Sequence, residues 1–254
     1  MMFYHYPKGY RVPVDLDNTY EGQSCFLAGG SPTLLNEDLT VLDQPGITVM
    51  AMNNTASVVP TQLWVGGDKP MCYSPRILLD GRMKHFGVIS RRDFEVAGLP
   101  WKHLPNTYFF GTKESFTLGT FLNPDRDVAW WKNTFYMALQ IAYRLGFRKI
   151  YLIGCQFKIE TDAQYAYVAN LSDKQVNWNK RTYSGLVANM KHLKPHFEQH
   201  GLEIISCTPD SPLNDIYRNL TLPEATKEIL QDFPQDYDTQ ACPHSSVFGE
   251  QKEK

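Results

Sequence analysis

The chain has 254 residues, a formal net charge of −2, 43% hydrophobic residues and 13% aromatic residues. A chain of this length and apolar content can bury a core without a metal or a disulfide, so it is typical of one large α/β domain. Because its basic residues form no run, the sequence disfavours a protein that binds nucleic acid through the phosphate backbone.

The cysteines and the N-terminus predict the compartment. The five cysteines are scattered, and no two are spaced as C-x-x-C: Cys25, Cys72, Cys155, Cys207 and Cys242. A disulfide framework or a zinc site would need paired spacings. The N-terminus has no signal-peptide pattern, and no apolar stretch approaches ~20 residues. We therefore expect a cytoplasmic chain without a membrane span.

In chain order, the sequence predicts an arm, one domain and a tail. Residues 1–22, rich in Tyr, Pro and charge, predict an extended N-terminal arm. Residues 23–232 alternate apolar strands with helices, which predicts a Rossmann-like α/β fold, with a mainly parallel sheet and helices on both faces. Polar residues at about 160–180 predict a mobile lid within this domain. The polar, turn-rich residues 233–254 predict a flexible tail.

Hydrophobic periodicity and turn residues give the individual elements. The predicted strands are 24–28, 48–52, 62–65, 86–90, 107–110, 149–153 and 203–207. The predicted helices are 34–42, 129–145, 182–200, 213–220 and 223–232.

Four predicted strands each end in a cluster of small or polar residues. These clusters are 29–33, 53–55, 66–68 and 154–157. In an open α/β sheet the ligand crevice lies beyond the carboxyl ends of the strands. We therefore expect all four clusters to face one site.

The first cluster, Gly29-Gly30-Ser31-Pro32-Thr33, predicts a pocket for a nucleotide or another phosphate-bearing ligand. Two glycines let the backbone approach a ligand closely, and Pro32 suits the first turn of a helix, whose N-terminus favours a phosphate. A tight βα connection capped by Ser31 explains the same residues equally well. The turn is neither G-x-G-x-x-G nor a Walker loop, which disfavours a dinucleotide dehydrogenase and a P-loop kinase.

The other candidates each have two interpretations. Asn53 is a turn residue or an amide that contacts a base or ribose. Asp68 is a turn residue or a ligand of a divalent metal held with a phosphate. The tyrosines Tyr165, Tyr167 and Tyr183 lie in or beside the polar segment, and they either pack half-buried or contact the ligand and donate protons.

Several motifs, in order, resemble those of the bacterial CMP-sialic-acid transferases. Residues 25–34 (CFLAGGSPTL) resemble the opening of that family, and residues 134–157 resemble its central helix and strand. Residues 164–167 (QYAY) and 207–213 (CTPDSPL) resemble its later motifs. The order is kept over about residues 24–220.

A related group shares the opening motif. It contains archaeal hydroxymethyl-dihydropterin pyrophosphokinase and many unassigned proteins, some of them encoded by phages. Residues 60–68 (PTQLWVGGD) resemble its second motif.

The resemblance implies a sialyltransferase-like glycosyltransferase that takes a sugar from a nucleotide-activated donor by direct, metal-independent displacement. Besides this nucleotide or nucleotide-sugar ligand, no cofactor is expected, and a homo-oligomer remains an option. Tyr165 and Tyr183 are the catalytic candidates. The implied nucleotide contacts are Gly29, Gly30, Ser31, Thr33, Asn53, Asn133, Thr134, Gln156 and Phe157.

The chain departs from the family at two points. Residues 179–185 (NKRTYSG) contain no histidine where the family has its catalytic one, and Gln156 replaces an Asp. The catalytic base is therefore unassigned. Two alternatives stay open: a Mg²⁺-dependent pyrophosphokinase-like enzyme with Asp68 as metal ligand, and a non-catalytic binding or assembly protein that retains the fold.

Overall fold

The computed structural model describes residues 3–114, 117–122, 127–131, 133–159, 164–167, 169 and 171–232. The predicted tail, 233–254, lies outside the described residues. The strands are β1 (Phe3–His5), β2 (Val12–Val14), β3 (Ser24–Ala28), β4 (Val49–Met52), β5 (Leu63–Gly66), β6 (Lys84–Val88), β7 (Glu95–Val96), β8 (Leu99–Pro100), β9 (Thr107–Phe110), β10 (Thr112–Lys113), β11 (Val128–Ala129), β12 (Lys149–Ile153), β13 (Glu203–Ser206) and β14 (Arg218–Asn219). The α-helices are α1 (Pro75–Leu78), α2 (Thr134–Arg144), α3 (Asp173–Gln199) and α4 (Leu222–Asp232).

One ten-stranded sheet organises the fold, in the order β14-β13-β12-β3-β4-β5-β6-β9-β1-β2. All neighbours from β14 to β9 are parallel, and β1 pairs antiparallel with both β9 and β2. The predicted Rossmann-like, mainly parallel α/β class is confirmed. The apolar runs at 24–28, 107–110 and 149–153 form strands with the predicted bounds.

The two faces of the sheet bury separate cores. Because successive side chains of a strand point to opposite faces, Cys25 and Leu27 of β3 pack in the core that contains α2 and α3. Phe26 and Ala28 pack in the second core, together with the buried face of α4. Burial on both faces explains why the central strands are apolar throughout.

The described part of the predicted N-terminal arm, residues 3–22, packs against the domain. Its strands β1 and β2 extend the sheet beyond β9. Phe3 is fully buried, 5.3 Å from Phe86 between ring centroids, and Tyr20 stacks on Phe147 at 4.9 Å. The aromatic residues that enrich this segment are what attach it to the domain.

Helix α3 begins at Asp173, nine residues before the predicted start at 182. The Gln175 Oε1 accepts a 2.9 Å hydrogen bond from the Ser172 backbone N–H, the back-reaching half of a capping box. The predicted lid at 160–180 therefore ends in the first two turns of a helix. Residues 160–163, 168 and 170 of that lid lie outside the described residues.

Two predicted helices are wrong. The segment 34–42 forms two short 3-10 helices, Pro32–Asn36 and Leu39–Leu42, and the segment 213–220 forms one, Pro212–Asp215, followed by β14. The side chain of the residue just before each 3-10 helix accepts a hydrogen bond from the backbone N–H two residues later, which favours a turn over a continuous helix. These capping residues are Ser31, Asp38 and Ser211. Within the described residues, no helix has the length and apolarity to cross a membrane.

Candidate functional site

A cleft of about 500 Å³ opens beside the carboxyl ends of the parallel strands. It lies where the sheet order reverses: β3 is followed by β4 on one side, whereas the chain returns to β12 on the other. Open α/β sheets hold their ligands at such switch points. Members of all four predicted clusters line it, namely Gly29, Gly30, Ser31, Asn53, Thr55, Asp68, Gly154, Cys155 and Phe157.

Ser31 is fixed by bonds within the protein. Its Oγ accepts hydrogen bonds from the Thr33 N–H at 3.3 Å and the Thr33 hydroxyl at 3.0 Å, and it donates to Gln156 Oε1 at 3.1 Å. Thr33 and Gln156 do not line the cleft; they lie behind Ser31 and hold it. The turn is followed by a 3-10 helix of five residues, so it lacks the α-helix N-terminus on which the phosphate prediction for it depended.

An α-helix N-terminus reaches the cleft from α2 instead. Asn133, Thr134 and Phe135 all line the cleft. The Asn133 side chain caps the helix by accepting a 2.8 Å hydrogen bond from the Phe135 N–H. The Thr134 hydroxyl donates to Asn53 Oδ1 at 3.3 Å, so the predicted contacts Asn53, Asn133 and Thr134 lie together at this helix start.

Two stacked tyrosines cover the first βα turn. The Ala166 N–H donates to the Gly30 carbonyl at 2.9 Å, which lays residues 164–167 across the turn. The rings of Tyr165 and Tyr167 are parallel within 4°, with centroids 5.0 Å apart. A Cβ on Gly30 would lie 2.9 Å from the Tyr167 ring and 3.2 Å from the Tyr165 ring. The space above Gly30, predicted for a ligand, is therefore occupied by tyrosines.

One face of α3 forms the far wall of the cleft. It presents Lys174, Gln175, Trp178, Asn179, Thr182 and Tyr183, at the four-residue spacing of one helical face. Trp178 is 56% exposed. Apart from Tyr183, the sequence analysis names none of these residues as candidates, and it predicts a polar lid at 160–180 where residues 173–180 are helical. The Ser172-x-x-Gln175 capping box was the signal that places the helix start here.

Tyr165 and Tyr183, the predicted catalytic pair, form one hydrogen-bonded unit. Their hydroxyl oxygens lie 3.3 Å apart, and Asn179 Nδ2 donates to the Tyr165 oxygen at 3.1 Å. One of the two phenolic protons lies in the hydrogen bond between the oxygens, so the other phenolic proton can be donated to another acceptor. Burial raises the pKa of both phenols above its usual value, which keeps them protonated at neutral pH.

The charges in the cleft are two lysines and one aspartate among the described lining residues. Lys158 and Lys174 are both exposed, and so is Asp68 at the end of β5. Although Asp68 is open to solvent, protein atoms crowd its carboxyl group, and this desolvation raises its pKa, while the charge of Arg91 opposes the shift. In the part of the chain that the structure describes, no three His, Cys, Asp or Glu side chains cluster as a metal site.

Thr55 carries an unpartnered hydroxyl at the cleft. The residue is 1% exposed, and its Oγ1 has no hydrogen-bond partner among the described residues. It lies beside the first turn, because a Cβ on Gly30 would be 3.3 Å from this oxygen. Buried hydroxyls normally find a partner, so an unpaired one in the cleft lining is unusual.

Comparisons with known proteins leave the family of this chain open. No protein-family model and no curated protein matches the sequence. Among solved structures, the chain is similar to the MAf glycosyltransferase from Magnetospirillum magneticum AMB-1, with a TM-score of 0.49 and 13% identity over 84% of this chain and 37% of that one. The chain thus spans little more than a third of that protein. The resemblance of the motifs to sialyltransferases and pyrophosphokinases is not confirmed.

Proposed function

We propose that the cleft binds a nucleotide-activated sugar and transfers the sugar by direct displacement, without a metal. The observation that carries this proposal is the α2 N-terminus opening into the switch-point cleft, opposite an aromatic and lysine-bearing wall. Such a cleft combines the features that a phosphate, a base and a sugar each require.

The phosphate of the donor is assigned to the start of α2. The first turn of an α-helix has N–H groups without helical partners and carries a partial positive charge. Thr134 adds a hydroxyl there, whose single proton turns from Asn53 Oδ1 to the phosphate when the donor binds. Lys158 and Lys174 together exceed the charge of Asp68 by one positive charge. A bound anion is favoured by this arrangement, and the attraction weakens with added salt.

The base and the sugar are assigned to the aromatic side chains. Phe157 packs edge-on between Phe135, at 5.0 Å, and Tyr183, at 6.0 Å, and Trp178 stands exposed at the mouth. Aromatic faces bind planar bases and the apolar faces of sugars while excluding water. Thr55 supplies a buried hydroxyl to orient a polar group of the ligand.

The reaction then follows from where each charge develops. An acceptor oxygen bonds to the anomeric carbon, the bond from that carbon to the phosphate oxygen breaks, and its electron pair stays on the nucleotide phosphate. The neutral Tyr165–Tyr183 pair donates its remaining proton as a hydrogen bond to this departing oxyanion. Donors held in place where negative charge develops lower the barrier without reorganising.

The test is a thermal-shift panel of CMP, UDP, GDP and ATP, each with EDTA or with Mg²⁺. A hundredfold excess over Kd stabilises a protein by about 2.7 kcal/mol, which raises Tm by about 5–10 °C. We expect such a rise with CMP or UDP in EDTA, and a smaller one for Lys174→Ala. The exposed Lys191, on α3 but absent from the cleft lining, gives the matched control Lys191→Ala.

The pyrophosphokinase-like alternative has Asp68 in its favour, since one or two carboxylates commonly hold Mg²⁺ together with substrate phosphates. A rise with ATP that requires Mg²⁺ and disappears in Asp68→Asn would establish that alternative. No rise with any nucleotide would contradict both enzyme proposals, and it is the result expected of a protein that keeps the fold for binding or assembly.

A further inference from the structure

We propose that Asp68 is the catalytic base that removes the proton from the acceptor hydroxyl. The inference rests on the proposed sugar transfer, which needs such a base because the acceptor loses its proton as it attacks. Asp68 places a carboxylate just beyond the carboxyl end of β5, in the same cleft as the start of α2 and the tyrosine pair.

Elimination among the lining residues leaves Asp68. No histidine and no second carboxylate line the cleft within the described residues. Lys158 and Lys174 are ammonium groups without an acceptor lone pair, and Tyr165 and Tyr183 are neutral phenols, as their burial requires. Among these described lining groups, the Asp68 carboxylate is the one that can accept a proton at neutral pH.

Asp68 is held by its backbone, which leaves its side chain available. Its N–H donates to the Tyr73 hydroxyl at 2.6 Å, and Tyr73 is 5% exposed and packs edge-on against Trp64 at 4.9 Å. Among the described residues, its carboxylate oxygens make no hydrogen bond and no ion pair. Because Asp68 is exposed, water can occupy these oxygens, and an acceptor hydroxyl can take the place of that water.

The surroundings of Asp68 suit a base. Arg91 is the cation that faces it, and the neutral groups that interact with its charge are Cys72, Tyr73, Tyr165 and Tyr167. Desolvation raises the pKa of Asp68 above the usual value of 3.8, which brings its basicity closer to the working pH.

The proposed step transfers the sugar to the acceptor oxygen and the acceptor proton to Asp68. The acceptor O–H proton passes to an Asp68 carboxylate oxygen while the acceptor oxygen bonds to the anomeric carbon. The nucleotide phosphate leaves with the electron pair of the broken bond. Asp68 then releases the proton to solvent, and no oxidant, reductant or metal takes part.

The experiment measures the slow hydrolysis of nucleotide sugars, in which water is the acceptor. Wild type, Asp68→Asn and Asp68→Glu are incubated in EDTA with CMP-, UDP- and GDP-linked sugars, and the released nucleotide is quantified from pH 4 to 9. For wild type we expect kcat/KM to rise with pH to a plateau. In Asp68→Asn this rise with pH should disappear and the rate should fall about 10²–10⁴-fold, while the nucleotide thermal shift stays unchanged. Asp68→Glu should recover part of the rate and part of the pH dependence. The exposed Asp43, outside the cleft, gives the control Asp43→Asn, with wild-type rate.

Two results would overturn the proposal, and they are distinguishable. If Asp68→Asn hydrolyses the donor at the wild-type rate with the wild-type pH profile, Asp68 is not the base, and sugar transfer stands. If the wild type neither binds a nucleotide nor releases one from any donor, sugar transfer fails, and the base assignment fails with it.

Discussion

Gly29 and Gly154 lie back to back at the ends of β3 and β12, where Ile153 is in register with Ala28. A Cβ on either glycine would overlap the carbonyl oxygen of the other. The Gly29 N–H donates to Ile153 at 2.8 Å, and the Ser31 N–H donates to Gly154 at 2.9 Å. These glycines therefore let two strand ends meet at the switch point, a packing role that precedes any contact with a ligand.

Alanine at either glycine is expected to destabilise the fold. Overpacking of this kind costs about 1–3 kcal/mol, and each kcal/mol lowers Tm by about 2–4 °C. Gly154→Ala should cost more than Gly29→Ala, because Gly154 has a φ of +58°. Gly185 is the control: it lies exposed inside α3 with nothing within 4 Å of its Cβ position, so Gly185→Ala should stabilise by about 0.5–1 kcal/mol. Thermal unfolding measures all three.

Gly30→Ala is expected to displace the tyrosine stack rather than the fold. The added methyl group would press on Tyr167 at 2.9 Å, so the nucleotide thermal shift should fall while the Tm of the free protein drops little. Tyr167→Ala removes the ring on which the methyl group would press. The double variant, Gly30→Ala with Tyr167→Ala, should therefore lose less of the nucleotide thermal shift than the sum of the losses in the two single variants. Additive losses would contradict a role for Gly30 through the tyrosines.

Tyr165→Phe is expected to slow donor cleavage without weakening nucleotide binding. Loss of one oxyanion donor lowers the rate about 10²–10³-fold. The substitution also removes the Tyr165 oxygen, through which Asn179 and Tyr183 are linked by hydrogen bonds. Because burial raises the pKa of Tyr165 and Tyr183 above its usual value, wild type should show no alkaline loss of rate from these phenols up to about pH 9. Tyr143 bonds to the His200 carbonyl at 3.4 Å and is absent from the cleft lining, so Tyr143→Phe should keep the wild-type rate.

Glu228 is expected to contribute stability that disappears in acid. Hydrogen bonds from Arg218, Tyr151 at 2.9 Å and Lys149 at 3.3 Å lower the pKa of Glu228 from 4.5 to about 2. A depressed carboxyl pKa gives stability that is complete above pH 4.5 and lost as the pH falls towards 2. Glu228→Gln should therefore cost about 1 kcal/mol at pH 7 and progressively less below pH 4.5.

The control for this cluster is Glu198→Gln. Glu198 is 64% exposed at its side chain and makes a single 3.9 Å ion pair with Lys194. Its replacement should change the free energy of unfolding by less than that of Glu228 at pH 7. Equal costs at the two positions, measured by denaturant titration, would mean that the Glu228 cluster adds no stability.

The sequence predicted the central sheet because its signal is local. Apolar runs such as 24–28 and 149–153, each closed by glycine, contain the strand and its end. Ligands of open α/β sheets bind beyond the carboxyl ends of the strands, and this predicts the common edge at which Ser31, Asn53, Asp68 and Phe157 lie. The pairing of β1 with β9 joins residues about 105 positions apart by tertiary contact alone, and no local pattern indicates it.

The far wall of the cleft was missed for a different reason. The polar composition of 160–180 favours a lid, but a helix can also be polar on the face that it turns to a cleft, and residues 173–180 are helical. The tyrosine stack over Gly30 depends on residues more than 130 positions apart, so the sequence could name Tyr165 and Tyr167 as candidates but not their position above the turn.

The most direct test of the central claim is a calorimetric titration of the nucleotide selected by the thermal-shift panel, in EDTA, into wild type and Thr134→Val. Thr134 provides the hydroxyl at the α2 N-terminus, to which the donor phosphate is assigned. We predict one site per chain without Mg²⁺, with an affinity that falls as salt is raised and falls at least tenfold in Thr134→Val. Absence of heat in EDTA, or equal affinity in wild type and variant, would contradict metal-independent nucleotide binding in this cleft.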